Sequence, residues 1–296
     1  MASFRRWLWR RLNLPDSAQL PFPEVHPSAI VHPGAKLAPG VKVGPFAVIG
    51  ENIEIGEGTK IGAHVVLEGW TRIGKMNDIG VGAVIGSPPQ DHKYDGGRTY
   101  VVIGDRNHIR EYVTIHRPAT LEASTNIGND SFLMGSVHVA HDCKIGNHVT
   151  ITQAVGLSGH IEVDDFANIG GMSAFHQFVR VGSYAMVGGH CTVRMDVVPY
   201  ALATGEPFRI YGVNKIGLRR SGFKAEQIKA IKDAFRTLFW SGLTITAAVA
   251  RLKSEMGARE DVARILKFIE KSKRGLTPGI RVLPGRNPET GGEEEA

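Results

Sequence analysis

From Val31 onward an aliphatic residue returns at every sixth position. The series is Val31, Leu37, Val43, Ile49, Ile55, Ile61, Leu67, Ile73, Ile79 and Ile85. It resumes at Ile103, Ile109, Ile115 and Leu121, then runs from Ile127 through Leu133, Val139, Ile145, Ile151, Leu157, Val163, Ile169, Phe175, Val181 and Val187 to Val193. Glycine often follows the register residue, and the position four after it is often small or β-branched, as at Val41, Ala47, Thr59, Val65, Ala83, Val149 and Ala167. Neither a helical period of 3.6 nor simple strand alternation yields this spacing. Six residues suit one short strand and one tight turn, with the aliphatic side chain inward and glycine relieving the corner. Three such faces close a triangular coil of eighteen residues, and coils stack at about 4.8 Å. The pattern therefore predicts a mainly β protein, a parallel β-helix. The repeat does not set its hand, and the general rule for parallel crossovers favours a right-handed coil.

Two segments weaken the pattern while keeping its register, residues 87–102 and 117–126. In the first, Asp91 and Gly97 fall on inward positions without an apolar side chain, so the segment reads as a loop leaving the coil. The second keeps Leu121 in register. Loops on a rigid scaffold are where binding groups are commonly carried. After Val193 the repeat frays, and Pro199 and Pro207 flank a connection. A helical period follows from about Ser221, with Ile228, Ile231, Phe235, Leu238 and Phe239 on one face. Further helices are expected from near Thr246 and near Glu260, the last stopped by Gly275. The expected organisation is an N-terminal extension over 1–24, the β-helix over 25–207, a small α-helical C-terminal domain over 208–276, and a disordered tail over 277–296.

Composition narrows the setting. The formal charge of +6 favours an acidic partner or substrate without distinguishing a nucleic acid, an anionic membrane, a nucleotide or an acidic carrier protein. No apolar run reaches the roughly 18 residues of a membrane span. Cys143 and Cys191 lack metal-type spacing and read as buried thiols in a reducing compartment. Residues 1–14 hold four arginines, no acid and several large apolar side chains. A plain basic extension, a surface helix and an organellar presequence all fit that composition, whereas a secretory apolar stretch is missing. The expected location is cytoplasmic, or organellar if residues 1–20 are a presequence.

The candidate chemistry gathers at Ser136-Val137-His138-Val139-Ala140-His141-Asp142-Cys143. At eighteen residues per coil, His141 lies under Gly159, which precedes His160, and the next coil brings His176 and Gln177. Four histidines beside Asp142 thus share one sector of the surface. Neutral imidazoles could hold zinc. Alternatively, one imidazole could serve as general base toward a hydroxyl, with a backbone N–H meeting the developing oxyanion. Gly159 would let a carbonyl approach the backbone closely, which favours the second chemistry.

The strings IGDRNHIREYVTIHR, HVAHDCKIGN, VDDFANIGGMSAFHQF, MVGG and YGVNKIGLRRSGF, in this order and followed by a helical tail, resemble the family of acyl carrier protein:UDP-N-acetylglucosamine O-acyltransferases. The likeness spans roughly Val25 to Leu276. It implies a left-handed β-helix and a homotrimer with sites between subunits. The implied reaction moves a 3-hydroxyacyl group from acyl carrier protein to the sugar 3-hydroxyl of UDP-N-acetylglucosamine, in lipid A biosynthesis. It implies His141 as general base, Asp142 as its orienting partner and the Gly159 N–H as oxyanion donor. Substrate contacts carry over to Asp91, Lys93, His138, His160, His176, Gln177, Asn214 and Arg220, and the acyl groove to Gly171, Met186 and Gly189. Neither a metal nor a cofactor of its own is implied, because the phosphopantetheine arm belongs to the carrier protein; a nucleic-acid partner is not implied either. Two positions depart from the family pattern: Ser221 stands where a second basic residue can follow Arg220, and Ile216 where an acid can occur. The competing readings are a gamma-class zinc carbonic anhydrase and a non-catalytic β-helical scaffold.

Overall fold

The computed structural model describes residues 21–280; the readings of residues 1–20 and of 281–296 lie outside it. Within that span the six-residue repeat forms a left-handed parallel β-helix, the hand implied by the resemblance and opposite to the usual crossover sense. Strands of mostly two residues, such as Val48–Ile49, pair in parallel with the strand one coil on. Among the described residues they build three sheets of eleven, nine and eight strands, here the first, second and third sheets. Register residues stand directly on one another, as in the inward column Val139, Leu157, Phe175 and Val193. Most are fully buried, and each buried aliphatic side chain contributes about 1.5–3 kcal/mol.

The corners differ from the expectation in one respect. The third residue after the register position holds the positive backbone angle, and it is usually not glycine: Phe46 has φ 59°, Asp142 61° and His160 60°. An L-residue pays about 1–2 kcal/mol there. The corner offsets this cost with a backbone bond to the coil below, as from the His160 N–H to the His141 carbonyl at 3.0 Å. Stacked rings help too, as between His160 and Phe178, whose centroids lie 4.5 Å apart. The glycine after the register residue instead makes room for the next coil. At Gly56 a Cβ would lie 2.6 Å from the Gly74 carbonyl carbon. Three edges result. Ser136, Ala154, Met172 and His190 lie on the edge between the first and second sheets; Asp142, His160 and Phe178 on that between the second and third; Asp130, His148, Phe166 and Tyr184 on that between the third and first.

Both weak segments leave the coil. Ile73 pairs with Ile103 and Ile103 with Ile127, thirty and twenty-four residues on instead of eighteen. The insertions are thus twelve and six residues long. Leu121, expected inward, is 59% exposed because it rides on the second excursion.

The C-terminal boundaries shift as well. Ala201–Thr204 extends the first sheet in parallel, and Arg209–Val213 turns back antiparallel to it, so the chain is still β-structured at 208. That hairpin covers an edge that would otherwise expose unpaired backbone. Four helices follow: α1 (Lys215–Arg220), which the periodicity did not predict, α2 (Ala225–Phe239), α3 (Ile245–Met256) and α4 (Glu260–Glu270). Helix α4 stops five residues before Gly275. The expected tail begins too early, since Thr277 is buried and donates its N–H to the Asp196 carbonyl, and the Ile280 carbonyl accepts from Trp240 Nε1. None of the described helices is long and apolar enough to cross a membrane.

Candidate active site

His141 lies on the edge between the second and third sheets, buried to 5% exposure. Its Nδ1 is 2.9 Å from Asp142 Oδ2. A carboxylate oxygen only accepts, so Nδ1 carries the proton and a neutral ring keeps its lone pair on Nε2. That nitrogen faces Gly159, where a Cβ would stand 2.6 Å from it. The backbone N–H of Gly159 meets no acceptor among the described residues. Asp142 is itself held: its Oδ2 accepts the Ala119 N–H at 3.1 Å, and its own N–H donates to Thr125 Oγ1 at 3.0 Å. A base with a fixed tautomer, an orienting carboxylate and a free N–H thus meet at one corner.

The surrounding histidines extend the site. His160 sets its ring edge-on to His141 at 5.2 Å, with Nε2 3.8 Å from Asp142 Oδ2. His138 lies on the outer face of the second sheet, its Nδ1 2.7 Å from Thr114 Oγ1. Burial pushes the His138 imidazole below its ordinary pKa, and His116 and His141 add to the effect. Beyond His138 the outward row of that sheet is Gly156, Ala174 and Thr192, small side chains that leave a shallow track. Gly171 and Gly189 flank it on the neighbouring edge, where a Cβ on Gly189 would lie 3.2 Å from the Gly171 carbonyl. Met186 is half-buried on the first sheet.

Asp91 belongs to the twelve-residue excursion. Its Oδ1 accepts the Lys93 N–H at 3.0 Å, which holds its carboxyl below the usual carboxylate range, and His141 contributes to that field. Lys93, His176 and Gln177 are exposed. The His176 Nδ1–H donates to the Gln177 carbonyl. Asn214 is not brought to this corner, and Arg220 ends the short helix α1 that Asn214 caps. Asn214 caps α1 through the Gly217 N–H and donates to the Tyr184 carbonyl, which lies on the edge between the third and first sheets.

His141, Asp142 and His160 could also present three ligand atoms within 4.8 Å of one another. His141 Nδ1 and Asp142 Oδ2 already satisfy each other through a hydrogen bond, so the arrangement suits an oriented base better than a zinc centre.

The reading by coil phase missed Thr114, His116, Arg117, Ala119 and Thr125, all of which touch the site or its loop. The six-residue insertion displaces Thr114 and His116 from the eighteen-residue phase of His141 and carries Arg117 and Ala119 itself, whereas Thr125 keeps that phase, one coil before Cys143. The string REYVTIHR did carry three of them, Thr114, His116 and Arg117.

The chain resembles known proteins over most of its length. A protein from Myxococcus xanthus called acyl carrier protein:UDP-N-acetylglucosamine O-acyltransferase is 47% identical over 210 residues, covering 71% of this chain and 81% of the relative. This chain belongs to that family. A relative of the same description from Xanthomonas oryzae pv. oryzae is 49% identical over 210 residues, covering 70% of this chain and 80% of its own length. Residues 196–277 match the family profile described as UDP N-acetylglucosamine O-acyltransferase, domain 2, and residues 124–159 the bacterial transferase hexapeptide repeat. The solved UDP-N-acetylglucosamine acyltransferase of Francisella novicida superposes with a TM-score of 0.84 at 38% identity, covering 86% of this chain and 94% of that one. The enzyme of the same name from Bacteroides fragilis superposes at 0.83 with 42% identity, covering 86% and 99%. Family membership sets aside the carbonic anhydrase and scaffold readings.

Proposed function

We propose that this protein transfers a 3-hydroxyacyl group from acyl carrier protein to the 3-hydroxyl of UDP-N-acetylglucosamine, with His141 as general base. The observation that carries the assignment is the Asp142-oriented ring of His141, whose Nε2 faces the unpartnered Gly159 N–H. Nε2 takes the proton of the sugar hydroxyl as its oxygen attacks the thioester carbonyl. The Gly159 N–H meets the oxyanion. Collapse breaks the carbon–sulfur bond, and the imidazolium returns its proton to the departing pantetheine thiolate. Asp91, Lys93, His138, His160, His176 and Gln177 serve the sugar nucleotide in this reading, and the small-residue track bounded by Gly171, Met186 and Gly189 serves the acyl chain. Asn214 lies toward another edge, and Arg220 ends the short helix that Asn214 caps, which suits nucleotide contacts made to the site of a neighbouring copy in a homotrimer. Arg219, Arg220 and Lys224 offer cations to an acidic carrier protein.

The test is product mass spectrometry with mixed acyl carrier thioesters, run on the wild type and on His141→Ala. One 3-hydroxyacyl addition to the sugar nucleotide is expected, falling by about 10²–10⁴ in rate in the variant. A variant of near wild-type rate moves the base to another residue.

A further inference from the structure

The six-residue excursion touches both the substrate loop and the base. His116, at its start, is buried and donates its Nδ1–H to the Pro88 carbonyl at 2.7 Å. Arg117, next in sequence, is only 8% exposed. Its backbone N–H donates to the Ser87 carbonyl at 2.9 Å, its Nε to the Gly86 carbonyl at 2.7 Å and its Nη1 to the Tyr94 hydroxyl at 3.2 Å. The guanidinium also lies against the Trp70 ring, 5.6 Å from its centroid. Two residues on, the Ala119 N–H reaches Asp142 Oδ2, the oxygen that orients His141. A continuous line of direct contacts therefore runs from the loop that carries Asp91 and Lys93 to the catalytic pair.

Arg117 is an expensive residue in this place. It meets no carboxylate at ion-pair distance among the described residues, although a buried cation without a counter-charge is costly. The slot is also built for it. Gly69, with φ at +63°, is a position where a Cβ would overlap the Arg117 side chain, so the backbone turns away to admit the guanidinium. A fold that only needed to close a loop could do so with apolar packing. Arg117 is instead fixed to the coil by its bonds to Gly86 and Ser87, and from there offers the loop a directional bond, to the Tyr94 hydroxyl, that exists only when the loop is seated.

We infer that Arg117 is a positioning residue: through the turn it opens, it couples the seating of the 88–98 loop on the sugar nucleotide to the orientation of the Asp142–His141 pair. The inference rests on the proposed acyl transfer. When the loop lifts, Arg117 loses its Tyr94 partner and the turn bearing Ala119 is freed, so Asp142 loses one of the two donors that fix its oxygen. Closure of the loop and readiness of the base become one event.

The experiment compares Arg117→Met, which keeps the aliphatic stem without donors, in the wild-type and Asp142→Ala backgrounds. In the wild-type background KM for the sugar nucleotide should rise and kcat should fall, each about tenfold, with the thermal midpoint recorded alongside. In the Asp142→Ala background the KM effect should persist while the kcat effect disappears, because its route to His141 is gone. Multiplicative kcat effects in the two backgrounds overturn the coupling, as does an unchanged kcat in the single variant. Tyr94→Phe removes only the hydroxyl that Arg117 and the Gly97 carbonyl share, and should show the same pattern more weakly; it decides the matter if Arg117→Met does not fold. Absence of acylated sugar nucleotide from the wild type overturns the reaction itself, a result distinct from failure of the coupling alone.

Discussion

A methyl group at position 159 would stand 2.6 Å from Nε2 of His141, so the absence of a side chain there lets the ring occupy its place. The same residue supplies the free N–H assigned to the oxyanion. Gly159→Ala should therefore displace the base and narrow the approach to the N–H together. We expect kcat to fall by about 10²-fold, with overpacking costing about 1–3 kcal/mol of stability. Wild-type kcat in that variant would mean that His141 works from another position. His138 permits a second test. Its pKa is depressed in the fold, chiefly by burial, so between that value and the ordinary one near 6.5 the unfolded chain holds more protons than the native one. Stability from this group is complete above the ordinary value and is lost as pH falls through the depressed one. The urea midpoint should drop on acidification below about pH 6.5, and His138→Gln should flatten that slope. Equal slopes in the two proteins would refute the assignment. Burial likewise pushes the Cys143 thiol up to about 12, as suits an inward thiol with no part in the chemistry.

At the scale of elements, the coil was legible because each repeat repeats its own physics: an aliphatic side chain inward, a small one four positions on, a turn between. The catalytic edge was legible for the same reason, since His141, Gly159 and Gln177 lie beyond the last insertion, where eighteen residues make one coil. The excursions hid their own consequences. Both are multiples of six, so the register of Ile103, Ile109 and Ile115 survived while the faces they belong to changed. For that reason Thr114 could not be placed beside His138, nor Ala119 beside Asp142. Helix α1 is too short for a periodicity to show, and Asn214, taken from the resemblance as a nucleotide contact, has the additional local task of capping it. The acyl track belongs to this scale too. Gly189 lies forty-eight residues beyond His141, an axial rise on the order of 13 Å, enough for roughly ten methylenes. A side chain at Gly189 would project from the edge beside that track. Gly189→Met should shift donor preference from the fourteen-carbon 3-hydroxyacyl chain toward the ten-carbon one with turnover retained. Equal loss on all donors, with lowered thermal stability, would make Gly189 a structural corner alone.

At the scale of the whole molecule, one edge of the prism carries several large exposed apolar side chains. Phe46, Tyr112 and Met172, 58%, 63% and 60% exposed, all occupy corners between the first and second sheets. Ile30 and Val48 add exposed side chains on the adjoining face of the second sheet, the face that also carries His138. Single exposed apolar residues need no explanation, but three large ones on one edge of a rigid prism, with two more on the adjoining face, suit a surface covered by a partner. A second copy is the occupant that fits. Asn214 lies toward a different edge from His141, where in the proposed homotrimer it would serve a neighbour's site. Closed three-fold packing supplies every subunit with the same two contributions. Sedimentation should therefore give three chains. Phe46→Glu combined with Tyr112→Glu should yield monomers that keep their β-sheet circular dichroism, because neither side chain belongs to the inward columns. Those monomers should lose turnover although His141, Asp142 and Gly159 are untouched, and specific activity of the wild type should fall on dilution below the assembly range. A monomeric double variant with full turnover would show that one chain encloses its own site, and the exposed edge would then need a different occupant.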